Sequence, residues 1–80
     1  MGGEFPPLNT RQVEQVLTAA GFSCGRSVGS HFFWKGYCGG QVRSVTVKKI
    51  PAGAVYDDRL LKSMIRQSGM TRWEFYALLK

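Results

Sequence analysis

The stretch that decides the fold is residues 22–49, FSCGRSVGSHFFWKGYCGGQVRSVTVKK. Here the apolar residues recur every second position and glycines interrupt them, which is the pattern of short strands joined by turns. Three strands are predicted, at about Phe22 to Arg26, His31 to Lys35 and Val42 to Lys48. Ser27 to Ser30 and a longer Gly36 to Gly40 loop connect them. Both connections are short enough for hairpins, so an antiparallel meander is expected, with one face buried and the other in water. Side chains alternate across a strand. Phe32, Trp34, Val45 and Val47 are therefore assigned to the core, which leaves His31, Phe33, Lys35, Thr46 and Lys48 exposed together.

Outward from this block the period changes to that of a helix. Asn9 and Gln12 have the spacing of a capping box, and Leu8 and Val13 that of a hydrophobic staple. A helix is predicted from Thr10 to Ala20, with Val13, Val16, Leu17 and Ala20 on one face, closed by Gly21 so that Phe22 folds back onto Leu17. On the other side of the strands, after Pro51 and Gly53, a second helix starts at Asp57 or Asp58. Leu60, Leu61, Met64 and Ile65 form its apolar stripe, and Gly69 ends it. Thr71 and Glu74 mark a further capping box for a short terminal helix carrying Trp73, Tyr76, Leu78 and Leu79, with Met70 and Phe75 as its staple. The expected class is α+β: helix, three antiparallel strands, helix and a short extra C-terminal helix. The two main helices cover one sheet face. Residues 1–7 read as a flexible leader, and residues 8–80 as one domain.

Eighty residues leave no room for separate cofactor and substrate lobes. The chain carries a net charge of +6, unevenly spread: residues 1–20 sum to −1 and the remaining sixty to +7. Such an asymmetry points to a polyanionic partner, nucleic acid ahead of a membrane surface. No secretory signal or spanning segment is seen, so the expected compartment is the cytoplasm. Cys24 and Cys38 are accordingly read as reduced thiols.

Catalytic residue types are scarce. The chain has one histidine and, after position 20, three acids, two of them at a helix start. No metal site, phosphate-binding loop, nucleophile triad or carboxylate pair can be assembled, and no cofactor is expected. His31 is the candidate centre, with Arg26 across the tight turn and Lys35 along its strand. An imidazole can take a proton from a ribose 2′-hydroxyl, and neighbouring cations can offset the charge that builds on the attacked phosphate. Arg26, Lys35, Arg43, Lys48, Lys49, Lys62 and Arg66 are candidates for a shared RNA track. Phe33 has the exposed parity to stack a base.

The run Gly21-Phe22, Arg26, Gly29-Ser30-His31, Val45-Thr46-Val47, residues 61–70 (LKSMIRQSGM) and Glu74-Phe75 resembles the HicA-type mRNA interferase toxins over about Thr10 to Leu79. The resemblance implies a double-stranded-RNA-binding-like α-β-β-β-α fold and a ribonuclease neutralised by a HicB-type antitoxin protein. It also implies His31 as the catalytic residue after the Gly-Ser pair, with Ser30 beside it at the RNA site. The chain departs from the family where many members carry further histidines, at Phe32 and at Lys48 and Lys49, and has Arg59 where a glycine is frequent. His31 therefore stands without a second histidine. Two other readings stay open on the residues alone: a non-catalytic RNA-binding module, and an interaction protein whose terminal aromatic helix is its contact surface.

Overall fold

Asn9 opens the first helix as its spacing predicts: its side chain accepts from the Gln12 amide at 2.8 Å while the Gln12 side chain accepts from the Asn9 amide at 2.9 Å. In the computed structural model, which describes residues 5–79, this helix, α1, spans Thr10–Ala19. Strands β1 (Ser23–Val28), β2 (His31–Cys38) and β3 (Gln41–Lys48) follow, then α2 (Asp58–Ser68) and α3 (Arg72–Ala77). The strands form one antiparallel sheet in the order β1-β2-β3. Gly21 adopts a φ of +91°, and the Phe22 amide donates to the Leu17 carbonyl at 2.8 Å, so the chain reverses where expected. Asp57 caps α2, and Thr71 with Glu74 makes the capping box of α3.

The hairpins are tighter than the glycine pattern suggests. Strand β2 runs three residues past Lys35, and the expected Gly36 to Gly40 loop contracts to a turn at Gly39-Gly40, whose φ values of +63° and +78° match a type I′ turn. Gly36 stays within the strand because Phe22 packs on it: a Cβ there would lie 2.6 Å from the Phe22 ring. Strand β1 likewise reaches Val28, leaving Gly29-Ser30 as its turn.

Side chains divide by parity. Trp34, Val45 and Val47 join Val13, Val16, Leu17, Leu61, Met64, Ile65 and Phe75 in one buried cluster, so both main helices cover the same sheet face. Among the described residues no helix covers the opposite face. Tyr56, 2% exposed, ties the layers together. Its hydroxyl donates to the Lys48 carbonyl at 2.6 Å and shares a 2.9 Å hydrogen bond with the Thr10 hydroxyl, while its amide donates to the Leu8 carbonyl at 2.9 Å.

Burial raises the Tyr56 phenol above the ordinary tyrosine value. The folded state therefore holds that proton more tightly than the unfolded chain. Its contribution is complete below about pH 10 and lost as pH rises through the folded-state value. Tyr56→Phe should lower stability by about 1–3 kcal/mol at neutral pH, because the Lys48 carbonyl is left unpaired. The deficit should shrink above pH 10, as denaturant titrations of the two proteins at both pH values would show.

Residues 1–4 of the expected leader lie outside the described residues, but Phe5 packs against Trp73 and Tyr76 with ring centroids 4.8 and 5.0 Å away. The Tyr76 hydroxyl also donates to the Pro6 carbonyl at 2.6 Å. Aromatic burial and one hydrogen bond thus dock this part of the leader on α3. Trp73 itself remains 66% exposed. No helix among the described residues is long and apolar enough to cross a membrane.

Candidate nucleic-acid interface

The uncovered sheet face is organised in cross-strand rows. One holds Val28, His31 and Lys48, the next Arg26, Phe33 and Thr46, and the third Ser23, Lys35 and Ser44. A fourth, Tyr37 with Val42, lies beyond the end of β1. The Lys49 amide donates to the Ser30 carbonyl at 2.7 Å, which makes that position a ladder-bonded pair. Its neighbour, His31 opposite Lys48, is then a non-hydrogen-bonded pair, the kind whose side chains lie closest, with Cβ atoms about 4.5–5.5 Å apart. Both side chains are exposed.

Arg26 reaches this face through an irregularity. The register of β1 against β2 shifts between Cys24 and Arg26, leaving Gly25 as an extra residue. Strict alternation from Ser23 would send Arg26 and Val28 to the helix side; one inserted residue returns both to the open side. With Phe33, Lys35 and Ser44 they line a shallow concavity of about 510 Å³. Phe33 is half-buried among these lining residues, in the row between those of His31 and Lys35. Cys24, opposite Trp34, and Cys38, four residues farther along β2, are both free. That spacing separates their Cα atoms by at least ~13 Å along the strand, beyond the reach of a disulfide.

The structure brings together His31, Arg26, Phe33, Lys35 and Lys48, with Ser30 in the adjoining turn. It does not bring Arg43, Lys49, Lys62 or Arg66 to the same face. Arg43 shares the parity of Val45 and Val47. Its Nε donates to the Cys38 carbonyl at 3.3 Å, and its guanidinium lies over Gly69 at the C-terminal end of α2, where the last carbonyls favour a cation. This sets Arg43 apart from Arg26 and Lys35, with which it is expected to share one RNA track. Lys49 turns the other way from Lys48, its Nζ 5.4 Å from the Phe32 ring centroid. Lys62 and Arg66 belong to the outer stripe of α2, with Arg59 and Ser63. Lys62 also pairs with Asp58 at 3.1 Å, both partners well exposed. The single expected track is therefore a basic sheet face and a separate basic helix stripe.

Val28, Tyr37 and Val42 also belong to this face, beyond the residues that strand parity assigned to it from sequence. The signal for Tyr37 was the parity of Phe33 and Lys35 continued by two residues. Among the described residues no group hydrogen-bonds the His31 imidazole, and no cluster of three or more His, Cys, Asp or Glu side chains is placed to hold a metal. Arg26 and Lys48 flank the histidine with positive charge. No protein-family model, curated protein or solved structure matches the chain.

Proposed function

We propose that the protein is a toxin-like endoribonuclease of the HicA type, with a double-stranded-RNA-binding-like fold, that binds RNA on the open sheet face. The observation that supports this reading most is the close pairing of an exposed His31 with Lys48, beside Arg26 and Phe33. In the proposed reaction His31 takes the proton of a ribose 2′-hydroxyl, and the 2′-oxygen attacks the adjacent phosphorus. The bond to the 5′-oxygen breaks and the protonated imidazole returns its proton to that leaving oxygen, giving a 2′,3′-cyclic phosphate and a 5′-hydroxyl. Lys48 and Arg26 offset the charge on the phosphoryl oxygens as the bonds change. Phe33 offers a surface for one unstacked base. The partner in this reading is an acidic HicB-type antitoxin that covers the basic face in the cytoplasm, complementary charge hastening the encounter.

Incubation with a single-stranded RNA and its all-deoxy counterpart, in the presence of a metal chelator, tests the reading. RNA should be cut to cyclic-phosphate ends and the deoxy strand left whole. Binding of RNA without any cleavage would replace it with the non-catalytic RNA-binding module, which the lack of a hydrogen bond orienting His31 favours.

The two neighbouring lysines separate docking from bystander charge. Lys48→Gln should flatten the dependence of log affinity on log salt by about 0.7, the contribution of one phosphate contact to a single strand. Lys49→Gln, altering a side chain on the helix side, should leave the slope unchanged. Equal slopes for both variants in fluorescence titrations would place the RNA elsewhere.

A further inference from the structure

Strand β3 is an edge, and its free side is only half used. The ladder phase set by the Lys49 to Ser30 hydrogen bond directs the amides and carbonyls of Val42, Ser44, Thr46 and Lys48 away from β2. Two of these residues are engaged: the Thr46 amide donates to Gln67 Oε1 at 2.9 Å, and the Lys48 carbonyl accepts from Tyr56. Val42 and Ser44 have no such partner among the described residues. At the opposite edge of the sheet the extra residue at Gly25 interrupts β1, the usual way of blunting an edge. Among the described residues, the one regular, unoccupied edge stretch is thus Gln41 to Ser44. It lies beside Val42 and Tyr37, which are 62% and 71% exposed.

We propose that this half of β3 is the docking edge for an extended segment of an acidic protein partner, added antiparallel as a fourth strand. Main-chain hydrogen bonds to Val42 and Ser44 supply the register, and side chains supply the selection. A residue beside Val42 meets that valine and Tyr37 and is aliphatic. The residue beside Ser44 looks across a small side chain to Lys35 and is a carboxylate. In an antiparallel strand the carboxylate precedes the aliphatic residue by two positions. A second copy of this chain fits poorly. Two-fold pairing of these same groups sets Arg43 opposite its own copy, and like charges directly opposite are destabilising in a molecule that already carries +6. The choice of an acidic segment rests on the occluding partner proposed above; the edge itself does not.

The test is a titration of the ¹⁵N-labelled protein with the synthetic peptide acetyl-Thr-Glu-Thr-Val-Thr-amide, followed by NMR. The Val42 and Ser44 amide resonances should move downfield and saturate, as both gain an acceptor. Methylating the peptide nitrogens of Glu and Val, which face the edge, should abolish the shifts. Methylating the central Thr nitrogen should not. Val42→Pro removes only an outward amide, so it should fold, as circular dichroism would show, and lose the shift at Ser44. The methylated peptides give the same answer with the unaltered protein.

Equal shifts with lysine in place of the peptide's glutamate would overturn the charge selection. Shifts confined to His31, Phe33 and Lys35 would overturn edge pairing. Sedimentation of the free protein as a dimer that Val42→Pro makes monomeric would assign the edge to a second copy. None of these readouts involves RNA, so they stand or fall apart from the ribonuclease reading.

Discussion

His31→Ala is expected to lower the rate of RNA cleavage by about 10²–10⁴, the usual worth of a positioned proton acceptor. Affinity should hardly change. Arg26, Phe33, Lys35 and Lys48 remain on the face, and a neutral imidazole contributes no released counterion. The fold should be untouched, since His31 is exposed and outside the core cluster. Single-turnover cleavage with enzyme in excess separates the two effects, because it reads the chemical step once binding is saturated. A variant that cuts at the parental rate would remove His31 from the reaction. One that loses RNA affinity in proportion to rate would make it a docking residue.

Phe75→Ala is expected to cost about 3–5 kcal/mol, the range for emptying a fully buried phenylalanine site. Against a total stability of about 4–12 kcal/mol for a domain of this size, that loss takes from about a quarter to all of it. Phe75 is 0% exposed although it belongs to a helix of only six residues. Such a helix does not persist alone, so its place depends on this ring, on the half-buried Met70, Tyr76 and Leu78 packed against the same core, and on the Phe5 to Pro6 segment that Tyr76 holds. Denaturant unfolding followed by tryptophan fluorescence should show the midpoint collapse. Trp73, beside Phe5, should report the release of α3 in the same transition. A change below about 1 kcal/mol would mean that the surroundings close over the cavity.

The helices were legible because their ends are written in side chains. Asn9 with Gln12, Thr71 with Glu74, and Gly21 and Gly69 in left-handed backbone all act locally, and all appear where their spacing puts them. The core parity of Trp34, Val45 and Val47 was legible for the same reason. The tail of β2 was not: Gly36 to Gly40 contains three glycines and reads as a loop. What keeps Gly36 extended is the ring of Phe22, fourteen residues earlier, and local pattern does not contain that contact. The irregularity at Gly25, which carries Arg26 to the open face, escaped similarly, because an inserted residue leaves the alternation on either side of it intact. Arg43 is different. It lies two residues before Val45 on the same face, so the parity rule already assigned it to the helix side; grouping it with the other cations by charge set that rule aside.

Because both main helices cover the same side of the sheet, the residues that hold the domain together and those offered to a ligand occupy alternate positions of the same strands. Substitutions at the exposed His31, Lys35, Ser44 and Lys48 change the outer surface without emptying the buried cluster. Surface changes of this kind usually alter stability by no more than about 0.5 kcal/mol. The outer positions are thus free to drift, or to be exchanged as a set, at a pace that Trp34, Val45 and Val47 cannot follow. A lineage built on this scaffold can change what it contacts while keeping the interior it folds around.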